Sequence, residues 1–464
     1  MMRFALCTLC FACTSSVDSP SDSADPIRPP GAGTGTVAAL LCTDPGHPLR
    51  RTCTADLAEA AAVTWTWDDG EGNSGSALTP SGTRHEVFVS LLVPDAVYEI
   101  EGVDDSGTVV AKGAFDADGL PESLLLSFDI SGQPGAPFVV FPFGCHDAQS
   151  LLVVARTDGV VVGYEDLATA FGFTGKRPIR GLTATEEGTF LVLVGNDVVA
   201  EVDFARGIVA SFSAEAGTLP AVVHHDVLRS DGVLWALTAE ARSFAGSSYV
   251  MDGVIGLDAA GGVVASWNVA DVLTPTGDGA AGGYWGERFP GAIDFVHANS
   301  LAVDDDGGFL VSLHKEDAVL RLDKDFVYDW LLVGNPASAL APGDVVLASG
   351  GAIVPTFSGQ HHVWSPEPGL LWMLDNEGAA DGARVLGFAI DGASATAIDE
   401  RQSGLNCPGQ GNASRLENGN AWVDCSESAT FVELEPGGAT VFSMTPSCSY
   451  GEPSDETLYR ALPF

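Results

Sequence analysis

The chain is short of positive charge. Only 21 Lys and Arg stand against 62 Asp and Glu, a formal net charge of -41 over 464 residues. No basic stripe appears anywhere, which excludes nucleic-acid binding. An anionic substrate would have to be held by a local positive site against an unfavourable overall field. Long apolar runs are also missing. The run that opens the chain, Phe4 to Ala12, is too short to cross a bilayer, and no later stretch is long enough. Long patterns with helical period are scarce, which argues against a helical fold. Histidine is scarce as well, with nine in the chain. What the chain does have is 55 Gly, 26 Pro and short runs of Val, Leu, Ala and Phe broken by D-G, G-G and N-G. These are the marks of strands and tight turns, so the predicted class is all-β.

The first residues, "MMRFALCTLCFAC", join a basic Arg3 to a short apolar segment and then a polar stretch, "TSSVDSPSDSADP". That is the size and order of an export signal. The segment resembles a bacterial lipoprotein signal over 1–13, with Cys13 as the lipidated residue, although Cys10 stands where Leu is preferred. Plain secretion with cleavage near Ala12 is the alternative. Either way the expected location is the cell envelope, in the periplasm or on the outer surface, with a lipid anchor at Cys13 in the first case. Beyond the leader lie Cys42, Cys53, Cys145, Cys407, Cys425 and Cys448. An even set in an exported chain points to disulfides. Cys42 and Cys53 are close enough in sequence to pair; the other four leave three pairings open. No C-x-x-C spacing occurs, so the cysteines do not suggest a metal site.

Residues 14–37 read as a flexible Ser/Pro/Gly/Asp linker. Residues 38–130 alternate in strand fashion, as in "AVTWTWDDG" and "SLLLSFDI". Within them His85 to Glu101 resembles a fibronectin type III-like β-sandwich. Such a unit serves a structural role or the pairing of two chains into a homodimer. From 131 to 464 the chain repeats itself. A strand, a Gly turn and a second strand lead to an apolar residue followed by an acid, then another turn and strand. The apolar–acid step recurs at Val202-Asp203, Leu257-Asp258, Leu322-Asp323, Ile390-Asp391 and Leu434-Glu435. With an earlier unit around "LLVVARTDGVVVGYED", this predicts a six-bladed β-propeller, closed by the terminal "LYRALPF".

Aligned on their first Gly turn, the repeats place His225, His297, His361 and Asn412 in one slot, the start of the innermost strand. Such slots converge on the propeller axis. An antiparallel return strand brings His314 back beside His297 and Asp375-Asn376 beside His361. An amide or carboxylate there would fix an imidazole tautomer. His224 and His362 are strand-alternate neighbours and are expected to point away, while the aspartates of "VDDDGG" read as a solvated turn.

The stretches "HHDVLRSDGVLWAL", "DFVHANSLAVDDDGGFLVSL", "GQHHVW…LLWMLDNEG" and "GNASRLENGNAWVD" resemble, in order, the bacterial arylsulfate sulfotransferases. The resemblance spans roughly 140–464. It implies a six-bladed propeller with a small N-terminal β-sandwich. It also implies sulfuryl transfer from an aryl sulfate to a phenol through a sulfohistidine, with neither nucleotide donor nor cofactor. It places the nucleophile on His361, in the pair Gln360-His361, and supporting histidines on His225 and His297, with Asn299 nearby. The family's arginine falls on His314, a departure. If His314 replaces it as a cation it must be protonated, and Asp317 is the expected acid to keep it so. Gln360, Asn299, Asn412, Asp375, Asn376 and Trp364, the last as the edge of an aromatic pocket, are the expected substrate-binding residues. Two other readings remain. Three converging histidines could bind zinc in a hydrolase, or the loss of the arginine could leave a non-catalytic module that binds sulfated or aromatic ligands.

Overall fold

The computed structural model describes residues 37–145, 150–174, 177–275, 281–334, 346–347, 356–377, 382–392, 394–426, 428–449 and 459–464. The leader, Cys13 and the linker up to residue 36 lie outside the described residues. The chain forms two compact units, Met1–Leu120 and Pro121–Phe464. The expected boundary at 130 moves upstream. Leu126–Gly132 is a strand of the second unit, paired antiparallel with Thr440–Cys448.

In the first unit six strands join one hydrogen-bonded sheet. Its centre is a long hairpin, Arg51–Asp68 with Ser74–Val89, whose register shifts between Asp56 and Val63. Bulges bend strands, so the two halves of the hairpin can pair with different neighbours. Arg51–Asp68 takes Leu41–Thr43 at its start and Val97–Asp104 at its end. Alternation along the strand buries Val63, Trp65 and Trp67, and the unit's core adds Tyr98, Ile100 and Phe115. The disulfide Cys42–Cys53 joins two paired strands.

The second unit, among the described residues, is six separate sheets of four or five strands. The innermost strands of the second to sixth are Ile179–Ala184, Val222–Ser230, Ala298–Val303, His361–Trp364 and Asn412–Arg415. Each lies beside the next, so they ring an axis. The ring closes through the terminal strand Leu462–Pro463, which pairs with Phe138–Phe143 of the first sheet. There the Asn412 amide donates to the Ala461 carbonyl (3.0 Å) and the Ala461 N–H donates to Asp424. This is a β-propeller. The disulfide Cys145–Cys448 joins the first and last sheets, and Cys407–Cys425 ties a loop to the sixth.

The apolar–acid steps fall at the end of the third strand of each sheet from the second to the sixth. At three of them the acid caps the following turn. Asp203 accepts the N–H of Ala205, Asp258 those of Ala260 and Gly262, and Asp323 those of Asp325 and Val327. A short carboxylate does this because it reaches its own backbone two residues on. Asp304 of the acidic turn does the same for Asp306 and Gly308 and also pairs with Arg321. Between sheets the core is packed from Leu, Val and Phe, for instance Leu310, Leu332, Phe357 and Phe388. The polar groups of the axis stand apart from that packing.

Candidate active site

Four imidazoles form a continuous line at one end of the axis. Ring centroids are 4.8 Å apart from His225 to His297, 5.6 Å from His297 to His314 and 5.0 Å from His314 to His361. They come from three neighbouring sheets. A local backbone device aims two of them. His225 and His297 have φ of 55° and 51°, and the strand register shifts between Val223 and Val227 and between Ala298 and Ser300. Such left-handed residues at bulges turn a side chain out of the strand's alternation, at a local cost of about 1–3 kcal/mol. The same position is Gly181 in the second sheet (φ 59°) and His362 in the fifth (φ 45°). His361 is therefore one residue out of the shared slot. His362 turns away, its Nδ1 2.6 Å from the Ala413 carbonyl and its ring stacked on Trp364.

His361 is held from both sides. Its Nδ1 lies 2.9 Å from Asn376 Oδ1 and 3.1 Å from the Gly359 carbonyl. The Asn376 amide nitrogen donates to the carbonyls of Cys407 and Gln410, which fixes its oxygen toward the ring. Two acceptors at Nδ1 mean that Nδ1 carries the hydrogen. Nε2 keeps the lone pair and accepts the Gln410 N–H at 3.2 Å. Gln410 has φ 59° and sits in the loop tied by Cys407–Cys425, and its side chain accepts from Ser426. Burial, then the neighbouring His314 and His297, push the His361 imidazolium down to about 3, against the hydrogen bonds of Asn376 and Gly359. At neutral pH this ring is uncharged, with its lone pair on a defined atom, Nε2.

His297 has a different partner. Its Nδ1 is 2.7 Å from Asp294 Oδ2, and Lys315 reaches the same oxygen at 3.0 Å. Burial pushes the Asp294 carboxyl up, but the hydrogen bonds and charges of His297 and Lys315 outweigh it and leave the group below its ordinary value. The carboxylate orients the ring and leaves Nε2 toward the cluster, as in an acid–base dyad. His314 lies beside His297 as counting along the hairpin requires, with its N–H on the His297 carbonyl. Burial, then His297 and Lys315, push it down to about 4, although Asp294 pulls upward. The expectation of a protonated His314 kept charged by Asp317 is thereby corrected. Asp317 turns to the Gly359 N–H (2.9 Å), and burial lowers rather than raises the charge on His314.

The remaining expected residues divide sharply. Asn376 is in the site. Asp375 is not: it accepts the Ser358 N–H and pairs with the buried Arg384 at 2.8 Å. The Gln360 amide donates to Ser312, Leu313 and Ala318, between the fourth and fifth sheets. Asn299 donates to the Gln360 carbonyl, Asn412 serves ring closure, and Trp364 packs on His362 and Trp372. These are supports one layer behind, because bulges and strand alternation send their side chains away from the four rings.

Several site groups escaped the sequence reading. His224 does not point away; its Nδ1 lies 2.8 Å from Nδ1 of His225. Tyr284 faces His225 and His297 at 4.9 and 5.2 Å, and Arg180 donates to its hydroxyl (2.9 Å) while lying over its ring. Asp294 and Gln410 were likewise unmarked. Only the "D-x-x-H" spacing of Asp294 and His297 carried a signal. Among the described residues no three His, Cys, Asp or Glu side chains are arranged to hold a metal ion.

Residues 145–383, more than half of the chain, match the arylsulfotransferase (ASST) family. This chain belongs to that family. The match contains all four imidazoles of the line, Asp294 and Asn376, but ends before Gln410. The arylsulfotransferase chain matches no curated protein. Among solved structures, a protein of unknown function from Bacteroides caccae is 10% identical, with a TM-score of 0.41 over 71% of this chain and 99% of that one. Virginiamycin B lyase from Staphylococcus aureus is 10% identical, with a TM-score of 0.36 over 68% and 88%. A streptogramin B lyase is 11% identical, with a TM-score of 0.35 over 76% and 90%. Likenesses this slight carry no argument.

Proposed function

We propose that the protein transfers a sulfuryl group from an aryl sulfate to a phenol through a covalent adduct on His361 Nε2. The observation that carries this is the state of that ring: neutral, with Nδ1–H anchored to Asn376 and Gly359 and the lone pair on Nε2, where it accepts the Gln410 N–H. Sulfuryl transfer, like phosphoryl transfer, has a loose transition state with charge on the equatorial oxygens and the attacking and leaving groups in line. His361 Nε2 forms a bond to sulfur as the sulfur–aryl oxygen bond breaks. The positive charge that grows on the imidazole is met by the two oxygens at Nδ1. Attack consumes the lone pair that the Gln410 N–H had been donating to, which frees that donor for a sulfuryl oxygen. His297, backed by Asp294, exchanges a proton with the phenol oxygen on departure and on return. Family membership supports the reaction class, and Tyr284 offers a flat face for an aryl ring. Three disulfides also support export to an oxidising compartment, with Cys13 as the anchor of a lipoprotein.

The test is incubation with 4-nitrophenyl sulfate, with mass spectrometry of the protein and a count of released 4-nitrophenolate. One sulfuryl group per chain on His361, absent in His361→Ala, is the expected result. A protein that binds the ester without labelling would instead be a ligand-binding module.

A further inference from the structure

Behind His225 lies a second histidine that the transfer chemistry has not used. His224 is fully buried, and Asp252 beyond it is 1% exposed. His224 Nε2 is 3.1 Å from the Thr238 carbonyl and 3.1 Å from Asp252 Oδ1. Both neighbours are acceptors, so Nε2 carries the hydrogen whatever the state of the ring. Both oxygens of the Asp252 carboxylate are buried without a hydrogen-bond partner among the described residues, so the nearby His224 ring is the group placed to meet their charge. Trp285 closes this place from solvent, its ring edge-on to His224 at 5.0 Å and packed with Ala239, Val250 and Ala292. On its inner side His224 meets His225, Nδ1 to Nδ1 at 2.8 Å, a spacing that holds one hydrogen. In neutral His224 that nitrogen is an acceptor, so His225 donates from Nδ1 and keeps its Nε2 lone pair for the site.

We infer that Asp252 and His224 form a buried relay that makes His225 a second proton-transfer group of the site, beside His297. The inference rests on the transfer chemistry proposed above. When a phenol attacks the sulfuryl group, its O–H proton passes to His225 Nε2. The Nδ1 proton of His225 moves to His224 Nδ1, and the new positive charge comes to rest on His224, next to the Asp252 carboxylate. His225 is left neutral. The protons balance: one leaves the phenol oxygen and one is gained by His224.

The need for such a path is electrostatic. The His225 and His297 rings are 4.8 Å apart, centroid to centroid, too close for both to carry positive charge with His225 buried. Burial, then His297, His224, Arg180 and His361, hold the His225 imidazolium well below its ordinary range. A proton left on that ring would be expelled. One ring further out it meets a carboxylate. His224 and Asp252 act through His225 and touch no substrate, so they are positioning residues.

The test uses the whole protein loaded with sulfuryl from 4-nitrophenyl sulfate and then discharged to phenol or to the more acidic 4-cyanophenol. In Asp252→Asn, discharge to phenol should slow by about 10²-fold, the scale of one acid–base contribution. Discharge to 4-cyanophenol, which is already largely ionised at pH 8.5, should slow by less than about tenfold on the same scale. His224→Gln is the second variant and should show the same selectivity. Equal losses with both acceptors, or no loss, would overturn the relay. Imidazole nitrogen NMR reads it without turnover: His225 should be protonated at Nδ1 and bare at Nε2, and the opposite tautomer overturns the inference. A wild-type chain that forms no sulfuryl adduct defeats the transfer reading instead, and the tautomer then decides the relay alone.

Discussion

Asn376 and Asp375 are adjacent in sequence and do unrelated things, which makes them a sharp pair to perturb. Asn376→Leu keeps the volume and removes every polar contact. His361 Nδ1–H loses one of its two acceptors, and the carbonyls of Cys407 and Gln410 lose their donor. A buried group left unpaired costs about 1–3 kcal/mol. Some repacking of the loop offsets this, so roughly 2–4 kcal/mol of stability should be lost. The rate should fall further than stability explains. The ring can now turn about Gly359, and Gln410 N–H drifts from Nε2; misplacement on the order of 1 Å is worth about 10²-fold. Asp375→Asn breaks the buried pair with Arg384, at about 3–5 kcal/mol. It leaves the His361 contacts alone. Urea unfolding should therefore rank the two variants together, while the stopped-flow burst of 4-nitrophenolate should separate them by about 10²-fold. Equal burst rates in the two variants, or a wild-type burst in Asn376→Leu, would refute the claim that Asn376 sets the nucleophile's tautomer.

Other outcomes follow from the same geometry. His361 and His314 are held at about 3 and about 4 when folded, below the ~6.5 of an unfolded chain, so the unfolded state binds more protons between those values. Their contribution to stability is complete above pH ~6.5 and is lost as pH falls. Moving from pH 7.5 to 5 should cost about 2 kcal/mol for each ring by urea titration. The burst itself should stay flat from pH 5.5 to 8, and an apparent pKa near ~6.5 in that phase would contradict a neutral resting His361. His314→Arg supplies a permanent cation beside Asp294 and should raise the burst by roughly tenfold or more at every pH from 6 to 9. Removing Cys407–Cys425 by paired Ser substitution should cost about 3 kcal/mol and slow the burst by loosening Gln410. The same change at Cys42–Cys53, in the first unit, should leave the burst rate as it was.

The sequence alone carried the all-β class, the repeat and its closing strand, because strand alternation, turn chemistry and the apolar–acid step are local and recur. It also carried His225, His297, His314 and His361, because repeats bring equivalent strand starts to one axis and a hairpin brings its ends together. Counting along strands failed where the backbone leaves the count. A left-handed bulge at His225 sets the two rings of the His224–His225 pair against each other instead of on opposite faces. In the fifth sheet the left-handed residue is His362, one place after His361, yet it is His361 that joins the line and His362 that turns away. Asn412 and Asp375 occupy strand positions that counting brings to the site, and Gln360 belongs to the motif, but their side chains turn instead to Ala461, to Ser358 and Arg384, and to Ser312, Leu313 and Ala318. Hairpin counting brings Asn376 to His361, but tertiary structure decided the other partners: Gln410 on His361, Asp294 on His297, Asp252 behind His224. Those partners fix which nitrogen is bare and which ring stays uncharged. Tautomer and charge depend on distances of a few ångströms, and apart from the D-x-x-H spacing of Asp294 and His297 they join residues that no local pattern links.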